Sequence, residues 1–105
     1  MTMMKPRTPE EYVDLVQQAL FEIEELRAAA EYDMEEMGEA LGFVDELEAG
    51  MRALLESMRD GSYRFADEDL PFMATVERVH ESLLPFKSLL RLINETHRTG
   101  LAAGD

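Results

Sequence analysis

A chain of 105 residues makes one domain, and without cysteine it has no disulfide framework, no thiolate metal site and no thiol nucleophile. Apolar residues at 46% and charged residues at 31% describe a globular chain rather than a disordered one. Ten Lys and Arg stand against 23 Asp and Glu, a net charge of −13; this opposes binding to a nucleic-acid backbone or an anionic membrane surface, both of which need cationic side chains.

Residues 1–8 contain Lys5 and Arg7 but no apolar h-region, so they read as a flexible N-terminus and not as a secretory signal. The first helix is predicted over residues 9–31. Thr8 supplies the cap, Pro9 suits the first helical position, and Glu11 completes a capping box three residues on. Tyr12, Val16, Ala19, Ile23, Leu26 and Ala30 recur at spacings of four and three, a heptad-like seam. Val13, Leu15 and Leu20 widen that seam toward bundle packing.

A turn is expected within residues 28–34. Asp33 followed by Glu36 repeats the capping logic and opens a second helix over residues 33–60. Its stripe is Met34, Met37, Leu41, Val44, Leu47 or Glu48, Met51, Leu54 and Met58, and Arg52 can pair with Glu48 and Glu56 one turn away. Gly61 suits the left-handed C-cap. Gly38, Gly42 and Gly50 lie inside this helix at a cost of up to about 1 kcal/mol each, which points to a close helix approach, a slight bend, or a groove where a partner meets the backbone. This hairpin also holds most of the charge: residues 1–61 carry 16 acidic and 5 basic side chains, residues 62–105 carry 7 and 5.

Residues 62–69 read as an extended loop, because Tyr63 and Phe65 alternate with polar neighbours. These aromatics are expected either to tuck under the bundle end or to serve as a docking tag. Leu70-Pro71-Phe72 and Leu84-Pro85-Phe86 then repeat one pattern. Proline fits the first turn of a helix and clashes in its interior, so each triplet reads as a helix start. The third helix is predicted over 71–83, with Asp69 as its cap, and the fourth over 85–98, with residues 100–105 as a loose tail. The expected fold is all-α: a long antiparallel hairpin covered by two shorter helices broken at Pro85, a three- or four-helix bundle. One covering layer leaves apolar surface on the far side, and a homodimer is the simplest way to bury it.

Constellations that carry chemistry are sparse. Glu77 and His80 have the Glu-x-x-His spacing of a carboxylate-bridged metal site, but such a site needs two copies plus two further glutamates, and Glu95 and His97 are only two residues apart. His80 and His97 are expected at helix surfaces. The serines lack a nucleophile elbow, and there is no phosphate-binding loop or dinucleotide fingerprint. Asp67, Glu68 and Asp69 lack the spacing of a calcium loop. No cofactor, metal or catalytic residue is therefore expected.

The runs Tyr32-Asp33-Met34-Glu35-Glu36-Met37-Gly38, Gly61-Ser62-Tyr63-Arg64-Phe65 and Asp69-Leu70-Pro71-Phe72-Met73 resemble a family of short proteobacterial helical proteins of no established function, some labelled general secretion pathway protein. The resemblance spans residues 7–97 and brings no functional residues with it. The label sits against the residues, since the membrane component it evokes spans the bilayer and no apolar run here approaches the roughly 20 residues required.

Together these features imply a non-enzymatic, acidic, cytoplasmic protein–protein interaction module that self-associates. Met37, Leu41, Val44, Met51, Tyr63 and Phe65 are its expected contact residues. Two alternatives carry different chemistry. One is an acidic regulator that captures a basic partner such as a DNA-binding protein, resting on the hairpin's charge. The other, more remote, is a metal-carboxylate bundle enzyme built on Glu77 and His80.

Overall fold

The computed structural model describes residues 4–102, and among them the only regular secondary structure is helical. Five helices follow in order: α1 Pro9–Tyr32, α2 Met34–Met37, α3 Ala40–Asp60, α4 Met73–Arg78 and α5 Lys87–Thr99. α1 packs antiparallel on α3 to form the hairpin. α5 lies on α1, α4 lies on α3, and α4 and α5 also touch each other. The two short helices thus sit partly side by side on one face of the hairpin, rather than purely end to end. The molecule measures 48 × 30 × 21 Å, with its long dimension set by the hairpin.

Local chemistry explains the helix ends. The Glu11 N–H donates to Thr8 Oγ1 (3.1 Å), and Glu11 Oε1 accepts from the N–H of Arg7 (2.8 Å), one residue before the expected Thr8. The Glu36 N–H reaches Asp33 Oδ1 at 3.4 Å. Gly61 closes α3 with φ 82°, the left-handed conformation that glycine adopts without a steric penalty.

The predicted helix over 33–60 is interrupted at Gly38 and Glu39. A Cβ on Gly38 would lie 2.5 Å from the carbonyl oxygen of Met34, so the backbone there tightens in a way only glycine permits. The interruption changes which side chains reach the core. Met34 is exposed, while Ala40, Phe43 and Leu55 join Val44, Leu47, Met51 and Leu54 inside. Gly50 marks a close approach, with Phe72 Cβ 3.2 Å from where its own Cβ would stand; Gly42 faces open space. Arg52 binds Glu48 (2.8 Å) and Glu24 (3.1 Å), so it ties α3 to α1 instead of reaching Glu56.

Both Leu-Pro-Phe triplets form the same turn ahead of a helix, and Leu70, Phe72 and Leu84 are buried. The helix predicted over 71–83 begins later and ends at Arg78, because Val79 takes an extended conformation (φ −86°, ψ 137°). His80 then folds a turn, its Nδ1 accepting from the N–H of Ser82 (3.0 Å), and this lets Val79 and Leu84 both point inward. Asp69 does not cap α4; it accepts from Asn94 Nδ2 (2.9 Å) and Arg98 (3.3 Å) on α5.

The described parts of the two ends, residues 4–8 and 100–102, touch each other and the core. The Ala102 N–H donates to the carbonyl of Pro6 (2.8 Å), Lys5 Nζ donates to Thr99 Oγ1, and Leu101 packs on the core. The remainder of both expected segments, residues 1–3 and 103–105, lies outside the described residues. No described helix is long and apolar enough to cross a membrane.

Candidate functional site

The polar interior of this bundle collects where the loop over residues 62–69 crosses from the end of α3 to α5. The N–H groups of Ser62 and Tyr63 both donate to the carbonyl of Ser57 (3.0 Å each), which folds the strap back onto the last turn of α3. Ala66 N–H then donates to His97 O (3.2 Å), and Leu70 N–H donates to Asn94 Oδ1 (2.8 Å). Asn94 is buried and ties the far end of the strap to α5.

Four rings meet beneath the strap. Tyr12 of α1 stacks on Phe65 with centroids 6.0 Å apart and planes 6° from parallel. Tyr63 stands edge-on to both, at 5.8 Å from Tyr12 and 5.2 Å from Phe65. His97 of α5 tilts against Tyr63 at 5.6 Å. Edge-to-face and offset pairs of this kind add about 0.5–1.5 kcal/mol each beyond the area they bury.

A hydrogen-bonded chain runs through the cluster. Tyr12 Oη donates to the carbonyl of Ile93 (2.8 Å), since a carbonyl can only accept. Tyr63 Oη lies 2.7 Å from His97 Nδ1 and 3.3 Å from Tyr12 Oη. The roles follow the His97 tautomer: with its proton on Nδ1, His97 donates to Tyr63 Oη, which in turn donates to Tyr12 Oη. Burial lowers the His97 pKa, opposed by the nearby charge of Glu68. Burial raises the Tyr12 phenol far above its ordinary range, with the Tyr63 hydroxyl adding to the effect. Burial also raises Tyr63, opposed by its contact with the Tyr12 hydroxyl.

Beside this cluster lies a groove of about 750 Å³. α3 forms one wall with Ala49, Gly50, Ala53 and Ser57; Leu70, Pro71 and Phe72 form the other; the strap with Tyr63 and Arg64 closes one end, together with His97. The walls meet again where Phe72 approaches Gly50 and where Thr75 Oγ1 donates to Glu46 Oε2 (2.7 Å). That hydrogen bond and Arg78 together hold the Glu46 carboxyl below its usual range. A second recess of about 210 Å³ opens on the other side of Tyr63, among Pro9, Val13, Met58 and Phe65.

The expected contact residues fall in three places. Tyr63 and Phe65 meet in the aromatic cluster, with Phe65 still 46% exposed. Met37 and Leu41 are half-buried at the opposite end of the hairpin, about 30 Å away along α3. Val44 and Met51 have no exposed surface and are core residues, so they offer nothing to a partner. The seam that suggested them closes within the single chain. Large apolar side chains left exposed among the described residues are Met4, Phe21, Tyr32, Met34 and Phe65, which form no continuous stripe along the hairpin.

Glu77 and His80 border one recess with Glu81 and Arg91, but each is engaged by another side chain. Glu77 pairs with Arg91 (3.5 Å), while His80 lies beyond the end of α4 and faces Ser82 (2.9 Å). No three His, Asp or Glu side chains among the described residues gather as a metal site would require. His97, expected at a surface, is 7% exposed. Its spacing did carry the signal, because it falls four residues after Ile93 on the apolar face of α5. The roles of Tyr12 and Asn94 were not legible in the same way, since each depends on a partner distant in the chain. No family model, curated protein or solved structure matches this chain.

Proposed function

We propose that this chain is a non-enzymatic, acidic helical protein–protein interaction module that pairs with itself and docks other proteins. The observation that carries the reading is the groove along α3, a largely apolar trough between Gly50 and the 62–64 strap. Open troughs lined by small and apolar residues suit a polypeptide, which brings its own bulk to cover what it contacts. Self-association uses the end face around Phe65, where Val13 and Met58 flank a half-exposed ring. Sedimentation equilibrium tests this directly. The expected result is a dimer at tens of micromolar for the wild type and a monomer for Phe65→Glu. A wild type that stays monomeric over that range removes self-association.

A second reading rests on the hairpin turn. Glu31, Glu35, Glu36 and Glu39 are exposed there, beside a Tyr32 ring that is 93% exposed. None of the four joins an ion pair among the described residues. This arrangement favours capture of a basic partner such as the DNA-contacting face of another protein. Such binding weakens steeply with salt. A partner whose retention is the same at 50 and 500 mM salt would exclude it.

A further inference from the structure

No residue of the strap over 62–69 is buried, although Leu54 and Leu55 before it and Leu70 after it all are. A segment that covers so little apolar surface can lift without the helices coming apart. Its ties to α5 run to one turn of that helix. Arg98 binds Asp67 (3.1 Å) and Asp69 (3.3 Å), and Asn94 accepts from the N–H of Leu70 (2.8 Å) at the far end. His97 holds the middle twice: its carbonyl accepts from the N–H of Ala66 (3.2 Å), and its Nδ1 lies 2.7 Å from Tyr63 Oη.

Of these ties only the imidazole changes charge near neutral pH. Its ring is 7% exposed and packs on Tyr63. Tyr63 and Glu68 face it from the strap, and Tyr12 of α1 reaches it through Tyr63. Glu46 of α3 and Arg64 line the same groove, and Arg98, its neighbour on α5, is engaged by Asp67 and Asp69. His97 joins no ion pair among the described residues. Glu68 favours a proton on the ring, and burial outweighs it. Both neutral tautomers take up a proton to give the same cation, so the sign of the effect is the same for either. A buried imidazolium without a paired carboxylate is less stable than one in water. Acid therefore favours a state in which Tyr63 lifts off and the ring meets solvent.

That movement changes the surface the module offers. Tyr63 is the one residue that lines both the groove of about 750 Å³ and the recess of about 210 Å³. The closed end of the groove is the strap itself, with Ser62, Tyr63 and Arg64. With the strap raised, the two spaces join over Tyr12 and the groove opens at that end. Phe65, which stacks on Tyr12, leaves with the strap.

We propose that the strap over residues 62–69 is a latch that neutral His97 holds shut and that acid releases, opening the end of the groove. The gating role rests on the interaction-module reading; the release itself does not. Amide exchange of the full chain, followed residue by residue in NMR spectra, tests it through the Ala66 N–H. Ala66 should be less protected than the core residues Val16 and Val44 of the hairpin. Low urea should hardly change its exchange, because lifting the strap exposes little surface. Its protection factor should fall severalfold from pH 7.5 to 5.5, with a ceiling of about tenfold for one proton over the unit below 6.5. His97→Gln should abolish the fall, and His80→Gln, an exposed substitution, should keep it. Ala66 exchange with the urea dependence of Val16, no fall in the wild type, an equal fall in His97→Gln, or a fall lost in His80→Gln overturns the latch. Sedimentation of the same preparations separates the two readings: a dimer without pH-dependent Ala66 exchange removes the latch alone, and a monomer that shows it removes self-association alone.

Discussion

Tyr63 Oη and His97 Nδ1 lie 2.7 Å apart, joining a strap residue to a helix 34 positions later in the chain. The bond holds the strap across the end of the groove. It also makes the cluster sensitive to pH. Burial lowers the His97 pKa below its ordinary 6.5. The unfolded chain thus binds a proton that the folded chain refuses, and stability rises with pH wherever the unfolded state holds more protons. The contribution is complete above 6.5 and is lost as pH falls from there toward the lower folded value. The melting temperature should drop between pH 7.5 and 5.5, and His97→Gln should flatten that slope. An unchanged slope in the variant would assign the effect to another group.

Tyr12 anchors the cluster from α1, with its ring 2% exposed and its hydroxyl on Ile93 O. Tyr12→Phe keeps the ring and removes the hydroxyl's hydrogen bond to the Ile93 carbonyl and its contact with Tyr63. A loss of about 1–2 kcal/mol in urea unfolding is expected. Tyr12→Ala also removes the stack with Phe65, for a loss of about 3–5 kcal/mol. Equal losses in the two variants would mean that the ring contributes nothing.

Asn94 serves two masters, the N–H of Leu70 and the carboxylate of Asp69. Asn94→Leu matches it in size but strands the buried Leu70 N–H. A destabilisation of about 1–3 kcal/mol should follow. Hydrogen exchange should show it first in residues 66–72, ahead of α1 and α3.

The helix glycines should separate by what surrounds them. Gly42 faces open space, so Gly42→Ala should stabilise α3 by about 0.5–1 kcal/mol through helix propensity. Gly50→Ala places a methyl 3.2 Å from Phe72 Cβ, an atom held by the Pro71 turn. It should gain nothing or lose about 1 kcal/mol. Gly61→Ala forces a side chain into φ 82° and should cost about 1 kcal/mol. Thermal melts of the three variants decide between these outcomes, and similar shifts in all three would refute the assignment.

Where the signal was local, reading the residues sufficed. Thr8, Asp33 and Gly61 mark helix ends because a cap is a contact within four residues. The four-and-three spacing of Tyr12, Val16, Ala19, Ile23, Leu26 and Ala30 named the buried face of α1, since helical geometry alone puts those positions on one side. The same spacing led to Val44 and Met51 as contact residues, and there it misled. Periodicity says that a face is covered, and it cannot say whether the cover is another chain or α1 and the short helices of this one.

An all-α chain, its two proline-led turns and the concentration of acid along the hairpin are all legible from the residues alone. All of these follow from neighbours or from composition. The tertiary structure alone decided that Val79 leaves its helix early, that Asp69 serves α5 instead of α4, and that Tyr12, Tyr63 and His97 share one hydrogen-bonded chain beside a groove. Those outcomes depend on which distant groups compete for the same donor or the same buried volume. That competition is resolved only when the helices close on one another.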